Sequence, residues 1–240
     1  MKAIILAAGG GKRLWGITKE IPKPLIQLGG KSLLRRHMEN LVALGIREVV
    51  LVVGYKQELI RQEMAKFPQD IQVHFLVNED YVRGSIGSLW VARSEFTDDM
   101  VIMDADVLYH PAILDRLLKS PLENVLLMDE TVHQKTEECM VVVRDQRVIA
   151  LTKHMPQEYD EAGEGVGFLK VGKSSSPKLI DSLGDCIQDN KLDLEYEDAL
   201  KNFFCEVLVG YEKIGGLPWI EIDFPEDIER AEHDILPQLP

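Results

Sequence analysis

The chain has 240 residues, enough for one large α/β domain with a sizeable core or at most a domain plus a lobe, and its contents of 45% hydrophobic and 28% charged residues are ordinary for a globular protein. Its formal net charge of −13 argues against binding nucleic acid or an anionic membrane through its overall field. No apolar run approaches the ~20 residues that span a bilayer.

The first half alternates predicted strands with predicted helices. Apolar runs predict strands over 3–6, 48–53, 73–77 and 100–103, and helical periodicity predicts helices over 32–44, 57–67 and 88–94. This alternation indicates a doubly wound, mostly parallel sheet of Rossmann-like type.

The second half is more irregular. It has strand-like stretches over 125–128, 139–143, 147–153 and 166–171, a short helix over 177–183 that ends before Gly184, an acidic helix over 194–205, and a final strand, turn and helix. Glu226 and Asp227 follow Pro225 and are expected to serve that last helix N-terminus. We predict one domain, 1–240, with halves of about 1–120 and about 121–240.

Residues 6–14 read LAAGGGKRL, and residues 22–25 read PKPL. Glycines let backbone N–H groups approach phosphates, and the two alanines leave room for a base or ribose. Arg13 can make a forked contact with phosphate oxygens, and Lys23 is restrained between prolines as a point charge for the α-phosphate. The remaining predicted nucleotide contacts in this loop are Leu6, Ala7, Ala8, Gly9, Gly10, Gly11 and Lys12.

Two other phosphate-binding motifs are excluded. A Walker A loop needs Gly-x4-Gly-Lys followed by Ser or Thr, but Arg13 follows Lys12, and Gly30-Lys31-Ser32 has Leu25 in place of the first glycine. A dinucleotide fingerprint beginning at Gly9 needs a glycine at Leu14.

LAAGGGKRL together with PKPL resembles the nucleotidyltransferases of the nucleotide-sugar pyrophosphorylase superfamily, which join a nucleoside triphosphate to a phosphorylated small molecule. The resemblance covers essentially the whole chain and implies a GT-A-like nucleotidyltransferase fold. Lys12 departs from the family pattern, which usually has Thr or Ser there.

Acidic residues end two apolar stretches. MVIMDADV places Asp104 and Asp106 at the carboxyl edge of the sheet, where residues two apart on a strand share a face and can converge on a cation. WIEID adds Glu221 and Asp223, so we predict a Mg²⁺ site. The resemblance implies Asp106 and the second segment as metal ligands; both Glu221 and Asp223 are retained, with Asp223 favoured. Asp104 is assigned to the nucleotide site.

The stretch NEDYVRGSIGSL resembles the family's base-recognition segment. It implies Gly84, Ser85 and Ser88 as nucleotide contacts, and an ordinary helix N-cap at one of the two serines is the alternative.

The stretches VIALTKHM, GEGVGFLKV, EYEDAL and GLPWIEIDFPEDIERA resemble the cytidylyltransferases that act on phosphocholine or 2-aminoethylphosphonate. An ammonium-bearing acceptor needs anionic or aromatic neighbours for its cation and a lysine for its phosphate. Lys153 is assigned to the phosphate. The cation end is assigned to Glu164, Tyr196, Glu197, Asp198 and Trp219, with a solvated acidic helix face as the alternative.

We therefore expect a cytoplasmic, Mg²⁺-dependent enzyme that converts CTP and a phosphorylated or phosphonylated amino alcohol to a CDP- or CMP-linked product and pyrophosphate. The cysteines are widely spaced and lack CxxC spacing, which indicates reduced thiols and supports a cytoplasmic location. An NDP-sugar pyrophosphorylase using a sugar 1-phosphate is the alternative. A regulatory subunit is disfavoured because Arg13, Lys23 and Asp106 are all present. Monomer and homodimer both stay open.

Overall fold

The computed structural model describes residues 1–68, 70–134 and 138–240. Its strands are β1 (Lys2–Ala7), β2 (Gln27–Leu28), β3 (Lys31–Ser32), β4 (Glu48–Val53), β5 (Gln72–Val77), β6 (Met100–Asp104), β7 (Val107–Tyr109), β8 (Val125–Asp129), β9 (Met140–Arg144), β10 (Arg147–Thr152), β11 (Glu161–Val171), β12 (Gly210–Lys213) and β13 (Trp219–Glu221). Its α-helices are α1 (Trp15–Thr18), α2 (Leu33–Ala43), α3 (Gln57–Ala65), α4 (Ile86–Val91), α5 (Pro111–Lys119), α6 (Ser176–Gln188), α7 (Tyr196–Glu206) and α8 (Pro225–Arg230).

In the described part of the chain, the core is one large sheet with β1 near its middle. β1 pairs in parallel with β4 and β6, and β5 extends the parallel part beyond β4. Ala3, Ile4 and Ile5 are completely buried because helices cover both faces of this strand. The predicted α/β class with a large, mostly parallel sheet is confirmed.

The irregular second half is organised by the long strand β11. β11 pairs in antiparallel fashion with β9 near its start and with β6 near its end, and it pairs with β8 over much of the same length. This strand therefore joins the antiparallel strands of the second half to the parallel strands of the first.

Helices lie on both faces of the sheet, as a doubly wound arrangement requires. Helices α2, α3 and α5 pack on the face of Ala3 and Ile5, and helices α4, α6 and α7 pack on the face of Ile4. Across the described residues we find no helix with the length and apolar character needed to cross a membrane.

A small ribbon places the last acidic segment beside the centre of the sheet. β13 pairs with β7 in antiparallel fashion, with Glu221 opposite Val107. The amide of Ile222 then donates a hydrogen bond to the carbonyl of Asp106 at 3.0 Å. Two stretches more than one hundred residues apart in the sequence thus meet through backbone pairing.

The strand predicted over 166–171 begins earlier, at Glu161, and the predicted end of one helix is also wrong. The helix expected over 177–183 runs over Ser176–Gln188 and passes through Gly184. A Cβ at Gly184 would lie 3.6 Å from the ring of Trp90, an ordinary van der Waals contact, so packing does not require a glycine there and the helix continues past it.

Candidate active site

A single cavity lies at the carboxyl ends of β1 and β6, where ligands bind in α/β sheets. Its volume is about 1170 Å³. Sites for one small ligand are usually about 300–1,000 Å³, so this cavity is larger than a site for one small ligand usually is. The predicted site residues that line it are Leu6, Ala8, Gly9, Gly10, Gly11, Lys12, Arg13, Lys23, Gly84, Ser85, Ser88, Asp104, Asp106, Lys153, Glu164, Tyr196, Glu197, Asp198, Trp219, Glu221 and Asp223.

Ala7 was also predicted to contact the nucleotide, and the structure places it elsewhere. Its side chain is only 2% exposed and belongs to the core on the same face as Ala3 and Ile5. Because side chains alternate along a strand, Leu6 faces the cavity while Ala7 faces the core. The small size of Ala7 therefore serves packing.

The glycine loop (residues 6–14) leaves open space where a phosphate chain would lie. A Cβ built on Gly9 meets no protein atom within 4 Å, so nothing in the fold itself requires a glycine there. Gly11 is different: its φ of +59° is a left-handed conformation that glycine adopts without strain. Lys12 and Arg13 follow at the exposed rim of the cavity.

Three carboxylates converge opposite this loop. One oxygen from each of Asp106, Glu221 and Asp223 can be chosen so that all lie within 4.8 Å of one another. The ammonium of Lys23 donates hydrogen bonds to Asp106, at 2.9 Å, and to Asp223. Arg13 donates to the other oxygen of Asp223 at 3.2 Å.

The charge of Lys23 is held by these contacts. Burial on its own would lower the pKa of this ammonium, but the carboxylates of Asp106 and Asp223 outweigh it and raise the pKa above its ordinary value. Lys23 is therefore a fixed positive charge beside a group of negative ones.

Asp104 and Asp106 do not act as a pair on one strand face, in contrast to our expectation. β6 ends at Asp104, and Asp106 lies in the turn that follows. Asp104 Oδ2 instead accepts a hydrogen bond from the Tyr196 hydroxyl at 3.0 Å. Desolvation, followed by the charges of Glu197, Asp106 and Glu221, raises the pKa of Asp104 well above its usual range.

Asp227 supports the backbone beside Asp223, one of the three clustered carboxylates. Its Oδ2 accepts hydrogen bonds from the amides of Asp223, at 3.0 Å, and Phe224, at 2.8 Å. The prediction that Asp227 serves the N-terminus of the last helix is confirmed.

The two serines of the predicted base-recognition segment have different surroundings. Ser88 is 5% exposed, and its hydroxyl accepts a hydrogen bond from Asn78 at 3.0 Å. Ser85 occupies the N-cap position of α4 without capping it, because its Oγ accepts from the amide of Tyr196 at 2.9 Å. The simple N-cap alternative therefore does not describe Ser85.

The far end of the cavity is acidic and partly aromatic. Trp219 donates its indole N–H to Asp129 at 2.8 Å, which fixes the ring against that end. Burial, followed by the charges of Glu138 and Asp129, raises the pKa of Glu164 to about 7. Burial also raises the pKa of Glu197 to about 7.

The surroundings of two other predicted acceptor residues, Lys153 and Asp198, differ. Lys153 is exposed at the rim of the cavity, and its charge acts on Glu197. The side chain of Asp198 accepts a hydrogen bond from the amide of Glu195 at 3.3 Å, as part of a capping box at the start of α7. Asp198 thus has a structural function that accounts for an acidic residue at this position.

A sequence model described as nucleotidyl transferase matches residues 2–159 of this chain. The chain belongs to the nucleotidyl transferase family. The resemblance predicted from LAAGGGKRL and PKPL is thereby confirmed.

Individual relatives differ in their sequence identity to this chain and in how much of it they match. A CMP-5'-(3-aminopropyl)phosphonate synthase of Streptomyces rubellomurinus is 34% identical over 122 residues, which are 50% of this chain and 19% of that protein. A CTP:phosphoglutamine cytidylyltransferase of Campylobacter jejuni is 25% identical over 256 residues, covering 95% of this chain and 98% of that one. Three other curated relatives are longer, and the chain spans 50% to 55% of their length.

The fold has a counterpart of nearly equal length among solved structures. The CTP:phosphocholine cytidylyltransferase of Streptococcus pneumoniae superposes with a TM-score of 0.75 at 24% identity, covering 96% of this chain and 97% of that one. At this identity the likeness shows the nucleotidyl transferase fold.

Sequence reasoning missed three charged residues at the acidic end. Asp129, Glu138 and Arg230 line the cavity with the predicted acceptor residues. Asp129 had a usable signal, since VLLMD has the same form as MVIMD: an apolar strand that ends in Asp. Glu138 and Arg230 lie outside any such pattern and reach the cavity only through the fold.

Proposed function

We propose that this protein is a Mg²⁺-dependent nucleotidyltransferase that uses CTP and an ammonium-bearing phosphate or phosphonate. The observation that carries the proposal is the position of Lys23. Its ammonium bridges Asp106 and Asp223 in the same cavity as the open glycine loop. Nucleotidyl transfer at an α-phosphate requires positive charge and metal-binding carboxylates next to a space that can hold phosphates.

In the proposed reaction, an oxygen of the acceptor phosphate or phosphonate attacks the α-phosphorus in line. The new O–P bond forms as the bond between the α-phosphorus and its bridging oxygen breaks, and pyrophosphate leaves with that electron pair. Arg13 and Lys23 neutralise charge on the triphosphate and the leaving group. An ionised phosphate is already a nucleophile, so the reaction needs no general base.

The three clustered carboxylates have the chemistry of a magnesium site. Asp106, Glu221 and Asp223 offer hard oxygen ligands, and their mutual repulsion is only partly offset by Lys23 and Arg13. Bound there, Mg²⁺ supplies neutralisation of the triphosphate charge. The resident residues keep their own functions: Lys23 and Arg13 bind phosphate oxygens, and Asp227 holds the backbone of Asp223 in place.

The acidic end supports a cationic acceptor. Burial raises the pKa values of Glu164 and Glu197, and the negative charges crowded around them raise those pKa values further. An ammonium group bound beside Trp219 relieves that crowding and contacts the indole face. Lys153 at the rim is placed for the acceptor's phosphate.

Three relatives support cytidine as the base and an amine-bearing acceptor class. The names of the Streptomyces, Campylobacter and Streptococcus proteins specify CMP or CTP, joined to aminopropylphosphonate, phosphoglutamine and phosphocholine. We extend this substrate class to the present chain as a proposal.

The proposal is tested by pyrophosphate release in a matrix of substrates. CTP, UTP, GTP and dTTP are combined with phosphocholine, 2-aminoethylphosphonate, inositol 1-phosphate and hexose 1-phosphates, with Mg²⁺ present. We expect turnover with CTP and an ammonium-bearing acceptor. Turnover confined to a hexose 1-phosphate would instead establish the NDP-sugar pyrophosphorylase alternative.

A further inference from the structure

Two segments far apart in the sequence are bonded together beside the cavity. The nucleotide loop (residues 83–86) precedes α4, and the α7 entry segment (residues 192–196) leads into α7. The amide of Gly84 donates to the carbonyl of Leu192 at 3.0 Å, and the amide of Ile86 donates to that of Leu194 at 3.3 Å. This backbone pairing fixes one segment against the other.

Side chains add to the pairing from both directions. The amide of Ser85 donates to Glu195 at 3.0 Å, and the amide of Tyr196 donates back to Ser85 Oγ at 2.9 Å. Arg83 makes a forked contact with both oxygens of Asp193, each at 2.8 Å. A forked guanidinium–carboxylate pair defines orientation as well as distance.

Gly84 shows how closely the two segments approach. A Cβ at this position would lie 1.8 Å from the carbonyl oxygen of Leu194, so any side chain would push the segments apart. The glycine is required by this crossing, whatever it contacts in the cavity.

The α7 entry segment also reaches the other side of the cavity. Tyr196 is buried and donates its hydroxyl to Asp104 at the end of β6. Glu197 is the next residue and lines the acidic end. One rigid connection therefore runs from the nucleotide loop to the acceptor residues.

We propose that Arg83 and Asp193 are positioning residues that couple the two halves of the reaction. A nucleotide bound against Ser85 and Ser88 holds the nucleotide loop in place, and the paired segment then holds Tyr196 and Glu197 where the acceptor binds. The nucleotide thus prepares the acceptor site before the acceptor arrives. This inference rests on the proposed function only in placing the nucleotide at residues 84–88 and the acceptor near α7.

Hydrogen exchange of backbone amides, followed by mass spectrometry, tests the coupling. The full chain is measured alone and with Mg²⁺ and each of CTP, UTP, GTP and dTTP, with no acceptor present. The nucleotide that slows exchange at residues 84–88 is expected to slow it at residues 194–199 as well. Slower exchange at 84–88 with no change at 194–199 would overturn the inference. If a nucleotide other than CTP produces the effect, the base assignment fails and the coupling stands.

Matched variants locate the coupling. Asp193→Asn removes the charge that Arg83 contacts, and we expect the nucleotide-induced slowing at 194–199 to fall by about two- to fivefold, the range for one exposed ion pair. Asp189→Asn is the control. It removes an exposed ion pair with Lys191 in the stretch between α6 and α7, and Asp189 makes no such pair with the nucleotide loop. We expect wild-type behaviour from Asp189→Asn. An equal loss in both variants, or no loss in Asp193→Asn, would contradict a positioning function for Asp193.

Discussion

The ammonium nitrogen of Lys23 lies 2.9 Å from Oδ2 of Asp106 and donates a hydrogen bond to it. In the protein alone, Lys23 therefore neutralises a carboxylate that we propose as a ligand of Mg²⁺. Mg²⁺ held by Asp106, Glu221 and Asp223 would neutralise these carboxylates, and the Lys23 ammonium would then be available for phosphate oxygens. The proposed metal site and the proposed function of Lys23 therefore depend on the same carboxylates.

Replacing Lys23 is expected to have opposite effects on turnover and on metal binding. Lys23→Met keeps the apolar stem and removes the charge, so kcat should fall by about 100-fold, as when one charge-stabilising donor is lost. The carboxylates then lack a competing cation, and affinity for Mn²⁺, followed by electron paramagnetic resonance, should rise by about tenfold. Lys31→Met, which breaks an exposed pair with Glu39, is the control and should change neither quantity. Unchanged turnover in Lys23→Met would remove Lys23 from the reaction.

Asp106 is expected to be necessary for metal-dependent activity but not for folding. Asp106→Asn keeps an oxygen that accepts from Lys23 and loses the negative charge that a divalent cation requires. Turnover at saturating Mg²⁺ should fall by at least about 100-fold, while circular dichroism and the thermal transition show a folded protein. Full activity in Asp106→Asn would place the metal elsewhere.

Replacing Gly9, the first glycine of the loop, is expected to weaken nucleotide binding without changing the stability of the protein. Gly9→Ala adds a methyl group that meets no protein atom within 4 Å, so the free energy of unfolding should change by less than about 1 kcal/mol. The same methyl group enters the space assigned to phosphates, so the KM for the nucleotide should rise by about tenfold. Gly16→Ala is the control, since a Cβ there also meets no atom within 4 Å. An unchanged KM in Gly9→Ala would show that phosphates do not lie against this loop.

The acidic end predicts a pH dependence for acceptor binding. The pKa of Glu164 is raised to about 7, so this carboxylate is mostly neutral below that pH and charged above it. Affinity for an ammonium-bearing acceptor, measured by calorimetry from pH 6 to 8, should therefore increase as the pH rises.

The same shift has a consequence for stability in the absence of ligand. Because the folded pKa of Glu164 lies above its ordinary value, the folded state holds the proton more tightly than the unfolded state. Its contribution to the free energy of unfolding is thus favourable at acid pH and is lost as the pH rises toward 7. Glu164→Gln removes both effects and leaves the titration of the acceptor's own phosphate unchanged. A pH profile for acceptor affinity identical to wild type in Glu164→Gln would contradict the assignment.

Much of the fold and the centre of the site could be predicted because their signals are local. Apolar runs marked the parallel strands, and the carboxyl ends of such strands meet at one edge, which placed the glycine loop near Asp106. Pairing of WIEID with the chain after β6 was not visible in the sequence. It depends on the antiparallel ribbon of β7 and β13, two strands of three residues each.

The parts that could not be predicted depend on contacts between distant segments. Gly84 reads as a flexible ligand-binding turn, but its close approach to Leu194 is a property of the folded chain. Gly184 has the sequence signature of a helix end, but the helix continues through it to Gln188, packed on the sheet through Leu179 and Leu183. Ala7 likewise faces the core because of strand alternation, which a loop motif alone does not reveal.

We propose that this nucleotidyl transferase recognises a cation on its acceptor. The most direct test compares kcat/KM for 2-aminoethylphosphonate with that for propylphosphonate, which has nearly the same shape and a methyl group in place of the ammonium, with CTP and Mg²⁺ saturating. We expect a preference for the amine of about 100-fold, the result of one charge-assisted contact in a partly buried site. Equal values for the two phosphonates, or activity with neither and with a hexose 1-phosphate alone, would contradict it.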